Sequence, residues 1–142
     1  MKLRLLAFVM VVGSVAYAAE PKPLSGPAHV DPKKPIDICG LHAPSLDQVA
    51  NALVERGGVR EAAGDEKFLA YEQLDFTHIW TFTRLGHEAY PAVICRELKD
   101  GEQGLEVKME FACGGPRAAC TALYNDFLLL NAQMKANAKR SR

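Results

Sequence analysis

The sequence predicts an α+β domain: an N-terminal helix, an antiparallel sheet of three to four strands, and a long C-terminal helix that packs on one face of the sheet. Three segments predict this fold class: residues 45–58 and 116–136 have helical periodicity, and residues 67–112 have strand-like patterns. Because the strands are grouped between the two helices, we expect a two-layer arrangement with both helices on one face of the sheet.

The first helix is predicted from its start and stop signals. Ser45 followed by Gln48 three residues later is the pattern of a capping box. The apolar residues that follow fall on one helical face: Leu46, Val49, Ala50, Leu53 and Val54. The pair Gly57–Gly58 then supplies a left-handed stop.

Residues 67–112 contain the predicted strands. Residues 67–75 favour a strand over a helix, residues 76–84 and 91–98 are rich in β-branched and aromatic side chains, and residues 105–112 alternate between apolar and charged ones. The KDGEQG segment predicts a hairpin between the last two strands. We expect Leu98 opposite Leu105, since this register places the apolar side chains on one face. Residues 59–66 fit either a loop or a helical turn.

The last helix begins near Pro116, because proline suits the first helical position. Its apolar face consists of Cys120, Leu123, Tyr124, Phe127, Leu130 and Met134. This face requires an apolar surface, which the Leu105–Phe111 face of the sheet provides. Residues 138–142 are predicted to form a basic tail. The first interpretation is a solvated helix end, where cations interact favourably with the helix dipole. The alternative is that the basic side chains contact a membrane or a polyanion.

Residues 1–18 have the pattern of a secretory signal peptide. Lys2 and Arg4 precede the apolar run of residues 5–12, and Ala16-Tyr17-Ala18 is a small-x-small cleavage site. A membrane anchor is the alternative, but the run is shorter than the roughly 20 residues that span a bilayer. We therefore expect cleavage after Ala18, a periplasmic or secreted protein, and no transmembrane segment in the mature chain.

The mature chain is expected to consist of an arm and one domain. Residues 19–38 hold five of the eight prolines and predict an extended arm, and residues 39–137 predict a single α+β domain. Cleavage leaves 15 basic and 17 acidic side chains. That balance, without a clustered basic surface, argues against nucleic-acid binding.

Because we expect the chain to be exported, its four cysteines predict up to two disulfides. Four cysteines allow three pairings. Cys113 and Cys120 flank a tight Gly-Gly-Pro turn, which favours a bridge between them. The remaining pair, Cys39 and Cys95, would then tie the arm to the sheet. The spacing lacks the C-x2-C pattern of zinc and thiol-redox sites, so we expect no metal.

The sequence contains no catalytic motif. No histidine has a neighbour at metal-ligand spacing, no G-x-S-x-G elbow is present, and no glycine-rich phosphate loop follows a strand. We therefore predict no catalytic residues and no cofactor. A hydrolase that uses His78 or His87 as its base is the less favoured alternative.

Two surfaces are candidates for binding. The turn RLGHEAYP places Arg84, His87, Tyr90 and Pro91 together, and tyrosine and arginine are favoured at interfaces. The second candidate is the side of the strand at residues 76–84 that carries Thr77, Ile79, Thr81 and Thr83, which we expect to face solvent.

Two motifs resemble a known group of proteins. Residues 87–96 follow H-x-A-Y-P-A-V-x-C-R, and Cys113 begins a C-x6-C-x2-L-Y-x2-F pattern that ends in an LLLN run at Asn131. In these motifs, and over about residues 70–131, the chain resembles small Sec-exported proteins of Gram-negative bacteria. That group has no established activity, so the resemblance implies export and fold but no chemistry.

The sequence thus predicts a small non-enzymatic binding or adaptor domain whose partner is another envelope protein. An inhibitor or immunity-type protein that blocks an envelope enzyme is the alternative, with residues 87–91 as the inserted loop.

Overall fold

The computed structural model describes residue 27 and residues 29–141, and it confirms the α+β class and the long C-terminal helix. The predicted signal peptide and residues 19–26 and 28 of the predicted arm lie outside the described residues. A two-stranded sheet of β1 (Ile36–Ile38) and β2 (Leu41–Ala43) precedes a 3₁₀ turn (Leu46–Gln48) and α1 (Val49–Arg56). The main sheet and the last helix follow in chain order: β3 (Val59–Ala62), β4 (Phe68–Gln73), β5 (His78–Thr83), β6 (Ala92–Gly101), β7 (Gly104–Cys113) and α2 (Arg117–Arg140).

The main sheet has five antiparallel strands in the order β3-β4-β5-β6-β7, which is more than the expected three or four. The additional strand is β3, whose residues the sequence left as a loop or helical turn. Val59 lies opposite Gln73 and Ala62 opposite Ala70. β3 has exposed residues at its centre, so a strand pattern is weak there and its pairing with β4 defines it.

The predicted register of the last hairpin is wrong by two residues. Leu98 lies opposite Val107 rather than Leu105, and the strands continue to a two-residue turn between Gly101 and Gly104. A shift of two residues leaves every side chain on the same face of the sheet. The apolar pattern therefore could not distinguish the two registers.

The two helices lie on opposite faces of the sheet, so the expected two-layer arrangement is wrong. Trp80, Phe82 and Val93 pack with α1 and the β1–β2 hairpin, whereas Ala92 and Ile94 pack with α2. β5 and β6 are buried on both faces for this reason. The structure therefore has three layers, with α1 and α2 on opposite sides of the sheet.

The last part of the predicted arm belongs to the domain. The Val30 N–H donates to the Cys113 carbonyl (3.0 Å), the Leu46 N–H donates to the Pro32 carbonyl (3.0 Å), and Ile38 is buried. A Cβ at Gly114 would lie 2.7 Å from the Pro32 Cβ, so the approach requires glycine. The domain thus includes residues 29–38, and α2 extends to Arg140, through three residues of the predicted tail.

The start of the first helix also differs from the prediction. The Ser45 hydroxyl donates to the Asp47 carboxylate and caps no backbone N–H, and a 3₁₀ turn precedes α1. The predicted stop is confirmed, since Gly57 and Gly58 have φ of 78° and 75°.

Both disulfides are formed in the pairing that the sequence favoured. Cys39–Cys95 joins the β1–β2 hairpin to β6, with 6.4 Å between the Cα atoms. Cys113–Cys120 joins the end of β7 to the first turn of α2, with 5.9 Å between the Cα atoms. Within the part of the chain that the structure describes, no helix is long and apolar enough to cross a membrane.

Candidate functional site

A groove of about 760 Å³ lies between α2 and the sheet. Because α2 packs along β7 at one edge of the sheet, the groove lies beside it over the neighbouring strands β4 and β5. The floor includes Ala70 and Thr81, and the walls are α2, the segment that joins β3 to β4, and the turn after β5. The volume is within the range of small-molecule and peptide-side-chain sites.

Small residues keep this groove open. Ala70 lies on its floor, and Ala119 and Ala122 line it from α2. Gly64 lines the opposite wall, where a Cβ would lie 2.6 Å from the Phe68 carbonyl oxygen. The lining of α2 extends from Ala119 to Leu130, which corresponds to about 16 Å of helix at 1.5 Å per residue. The groove is therefore elongated.

Three rings line one part of the groove. The Phe68 ring lies 4.9 Å from the His87 ring and 6.2 Å from the Phe127 ring, between centroids. Both contacts are tilted or edge-on, as favoured for aromatic pairs. The half-buried ring of Phe68 thus joins the turn after β5 to α2 across the floor.

The turn after β5 holds His87 through backbone bonds. The Arg84 N–H donates to the Lys67 carbonyl (2.8 Å), and the His87 N–H donates to the Arg84 carbonyl (3.0 Å). The Nδ1 atom of His87 accepts the Ala89 N–H (3.0 Å). The neutral ring therefore carries its hydrogen on Nε2, which is a hydrogen-bond donor.

Arg96 of β6 is buried in the groove lining, with a residue exposure of only 6%. Its guanidinium lies 5.2 Å from the Phe127 ring centroid, and Nη1 donates to the Met134 sulfur (3.2 Å). The Nε atom is buried without a partner, and no ion pair joins Arg96 to any described residue. Burial lowers the pKa of Arg96, and an arginine nonetheless stays protonated.

The rim of the groove carries exposed charges of both signs. Asp65, Glu88 and Asp126 are acidic, and Lys67 is basic. The Asp65 carboxylate accepts the N–H groups of Lys67 and Phe68 (2.7 and 2.8 Å), and these bonds lower its pKa. The groove thus combines an acidic, solvated rim with one buried cation.

The four predicted binding residues divide between the two faces of the sheet. His87 lines the groove, whereas Arg84, Tyr90 and Pro91 line a smaller cavity of about 370 Å³ on the α1 face. Arg84 also donates from Nε to the Phe68 carbonyl (3.1 Å), and the Tyr90–Pro91 peptide bond is cis. The turn therefore does not form one continuous surface of these residues.

The side of β5 that we expected to face solvent is buried in the second half of the strand. Thr81 and Thr83 are buried, and the Thr83 hydroxyl oxygen accepts the Ala92 N–H (2.8 Å). Thr81 instead lies on the groove floor.

The sequence did not identify Arg96, Phe68 and Phe127 as residues of the site. Arg96 could have been found, since it has the same strand parity as the buried Ala92 and Ile94.

His78 lies outside the groove lining, next to the first disulfide. Its Nδ1 atom is 2.8 Å from the Thr77 hydroxyl oxygen, which donates its hydrogen to Asp75 (2.7 Å), so Nδ1 is the donor to Thr77. One ring nitrogen of His78 lies within 4.8 Å of both sulfur atoms of Cys39 and Cys95. The two sulfur atoms are bonded to each other, which removes the thiolates that a metal would require.

The chain matches no protein-family model, no curated protein and no solved structure. The resemblance to small exported proteins of Gram-negative bacteria therefore stays a prediction.

Proposed function

We propose that this protein is a non-enzymatic binding domain of the bacterial envelope that holds part of its partner, or the partner's ligand, in the groove beside α2. The observation that carries this proposal is the elongated groove itself. Phe68, His87 and Phe127 give it an apolar, aromatic part, and Arg96 and His87 give it hydrogen-bond donors. Ligand sites combine these same features, a mainly apolar lining and a few placed polar groups.

The disulfides support the proposed location in the envelope. All four cysteines are paired, and stable disulfides are typical of exported proteins. The pattern of residues 1–18 supports export independently.

An inhibitor of an envelope enzyme is the second candidate, and Leu85 favours it. This leucine is 84% exposed at the tip of the turn after β5, where an apolar side chain is available to enter a partner's cleft. Leu85 does not line the groove but the smaller cavity on the other face of the sheet. A substitution that fills the groove would leave such an inhibitor active, which separates the two functions.

We expect Ala122→Phe to abolish ligand capture by filling the groove. Ala122 is exposed on α2, so a phenylalanine there projects into the groove without disturbing the core. The matched control is Ala132→Phe, an exposed alanine on α2 outside the groove lining. The measurement is native mass spectrometry of each protein after incubation in an envelope extract of its host.

The proposed function predicts a bound mass on the wild type and on Ala132→Phe that is absent from Ala122→Phe. A ligand retained equally by all three proteins would place the binding site elsewhere. Loss from both variants would show that the helix surface, rather than the groove, makes the contact.

A further inference from the structure

We infer that the groove takes a monoanionic ligand, an extended apolar chain that ends in a carboxylate, and that Arg96 binds this carboxylate. The inference rests on the proposed function and names the class of its ligand. Two sources share this chemistry: the free carboxyl terminus of an apolar peptide and a fatty acid.

The first step is the energetic state of Arg96. A buried cation is costly unless a counter-charge and hydrogen bonds compensate for its lost hydration. Arg96 has a ring face and one sulfur acceptor, but Nε has no partner and no carboxylate pairs with the guanidinium among the described residues. A sulfur is a weak acceptor. The guanidinium is therefore incompletely compensated in the free protein.

The second step is the position of Arg96. It lines the groove together with Phe127 and Leu130, so an anion that enters the groove reaches the guanidinium in a partly desolvated place. A carboxylate matches the planar fork of arginine, and such charge-assisted bonds are stronger than bonds between neutral groups. The ring of Phe127 holds the guanidinium plane from one side.

The third step is the charge of the ligand. The acidic rim residues Asp65, Glu88 and Asp126 outnumber the one basic rim residue, Lys67. A polyanion such as a phosphate ester would be repelled there, whereas a single carboxylate carried past the rim on an apolar chain meets Arg96. Exposed charges are screened by salt, but the buried cation is screened much less.

The fourth step is the shape of the ligand. The groove extends along about 16 Å of α2, and its lining includes the rings of Phe68 and Phe127 and the side chains of Leu123 and Leu130. An extended apolar chain covers this surface, and its burial supplies the affinity. The carboxylate then supplies the specificity for one end of the chain.

The test compares an acid with its neutral amide. The probes are decanoate and decanamide, and the peptide acetyl-Leu-Leu-Ala-Leu with either a free carboxyl terminus or a carboxamide. Isothermal titration calorimetry measures the dissociation constant of each probe. We expect the acid of at least one pair to bind the wild type about tenfold or more tightly than its amide, as a charge-assisted bond predicts.

The diagnostic variant is Arg96→Met, which keeps an unbranched, flexible side chain but removes the charged guanidinium. We expect the acid to lose its advantage over the amide, while thermal unfolding shows equal or higher stability, because an uncompensated buried charge is replaced by an apolar group. If the Arg96 cation serves only to stabilise the fold, Arg96→Met will instead have a lower melting temperature than the wild type.

The matched control is Arg60→Met. Arg60 also lies over a phenylalanine ring, with 5.2 Å from its guanidinium to the Phe76 ring centroid, but it pairs with Glu72 and lies outside the groove lining. This variant should keep the wild-type preference for the acid.

Each outcome decides the inference. Preference for only one of the two acids identifies the source as fatty acid or peptide. Equal binding of acid and amide to the wild type overturns the anion inference but leaves the groove as a binding site. Failure of every probe to bind overturns the inference. The native mass spectrometry of Ala122→Phe then tests the proposed function independently.

Discussion

Replacing both Cys39 and Cys95 by alanine is expected to lower the free energy of unfolding by about 4 kcal/mol. This disulfide joins residues 56 apart in the sequence, and loop closure over such a length removes that much entropy from the unfolded chain in the loop-entropy model. The bridge also fixes the β1–β2 hairpin to β6, on the face that α1 covers. Urea unfolding followed by circular dichroism measures the change.

The matched control is the double alanine variant of Cys113 and Cys120. It also removes two sulfur atoms, but its separation is only seven residues, so the same model predicts a loss of about 2.5 kcal/mol. A larger loss for the short loop than for the long one would contradict the loop-length argument. In that case, the packing of Cys113 and Cys120 in the core under α2 would dominate.

Trp80→Ala is expected to cost about 4 kcal/mol of unfolding free energy. Trp80 has no exposed surface and is the largest of the fully buried side chains. It packs in the core between the sheet and α1, where its removal leaves a large cavity. Urea unfolding followed by circular dichroism is the measurement, since this variant lacks the only tryptophan of the chain.

Trp80→Phe provides the contrast. The indole Nε1 atom is buried and has no hydrogen-bond partner among the described residues, and phenylalanine removes this donor while it keeps an aromatic ring. We therefore expect a loss of less than about half of that for alanine. Equal losses for the two variants would show that the indole's second ring or its nitrogen carries most of the stabilisation.

The sequence predicted the elements that have their own periodicity. The apolar face of α2 buries Cys120, Leu123 and Phe127, although Leu130 of that face is exposed and Asn131 is buried. The alternation of β7 is present from Leu105 to Met109 and is lost beyond it, and the glycine stop after α1 is present. The disulfide pairing was also accessible, because a tight turn between Cys113 and Cys120 leaves Cys39 and Cys95 as the second pair.

The errors concern relations between elements that are distant in sequence. β3 is a strand because β4 lies beside it, and residues 29–38 belong to the domain because Cys113 and Leu46 bond to their backbone. The burial of β5 on both faces depends on α1 lying opposite α2. No local pattern carries these relations.

The candidate site was predicted only in part, at His87 of the turn and at Thr81 of the strand face that we expected to face solvent. The groove exists because α2 lies along β7 and because small alanine side chains line the space beside it, and this placement depends on tertiary packing. Arg96 is recognisable in the sequence as a charge within an apolar strand. That none of the described residues forms an ion pair with it depends on which side chains α2 places beside it. A sequence-based prediction could therefore suggest Arg96 as unusual without indicating what it binds.

The most direct measurement is a pair of titrations of the oxidised, ¹⁵N-labelled protein, one with decanoate and one with the acid form of acetyl-Leu-Leu-Ala-Leu, followed by two-dimensional NMR. If the groove holds an apolar carboxylate, the amide signals of Ala70, Thr81 and His87 and the Nε–H signal of Arg96 will shift progressively. The indole N–H of Trp80, which packs on the other face of the sheet, will not shift. Shifts confined to the Trp80 face, or no shift with millimolar concentrations of either acid, would contradict the proposal.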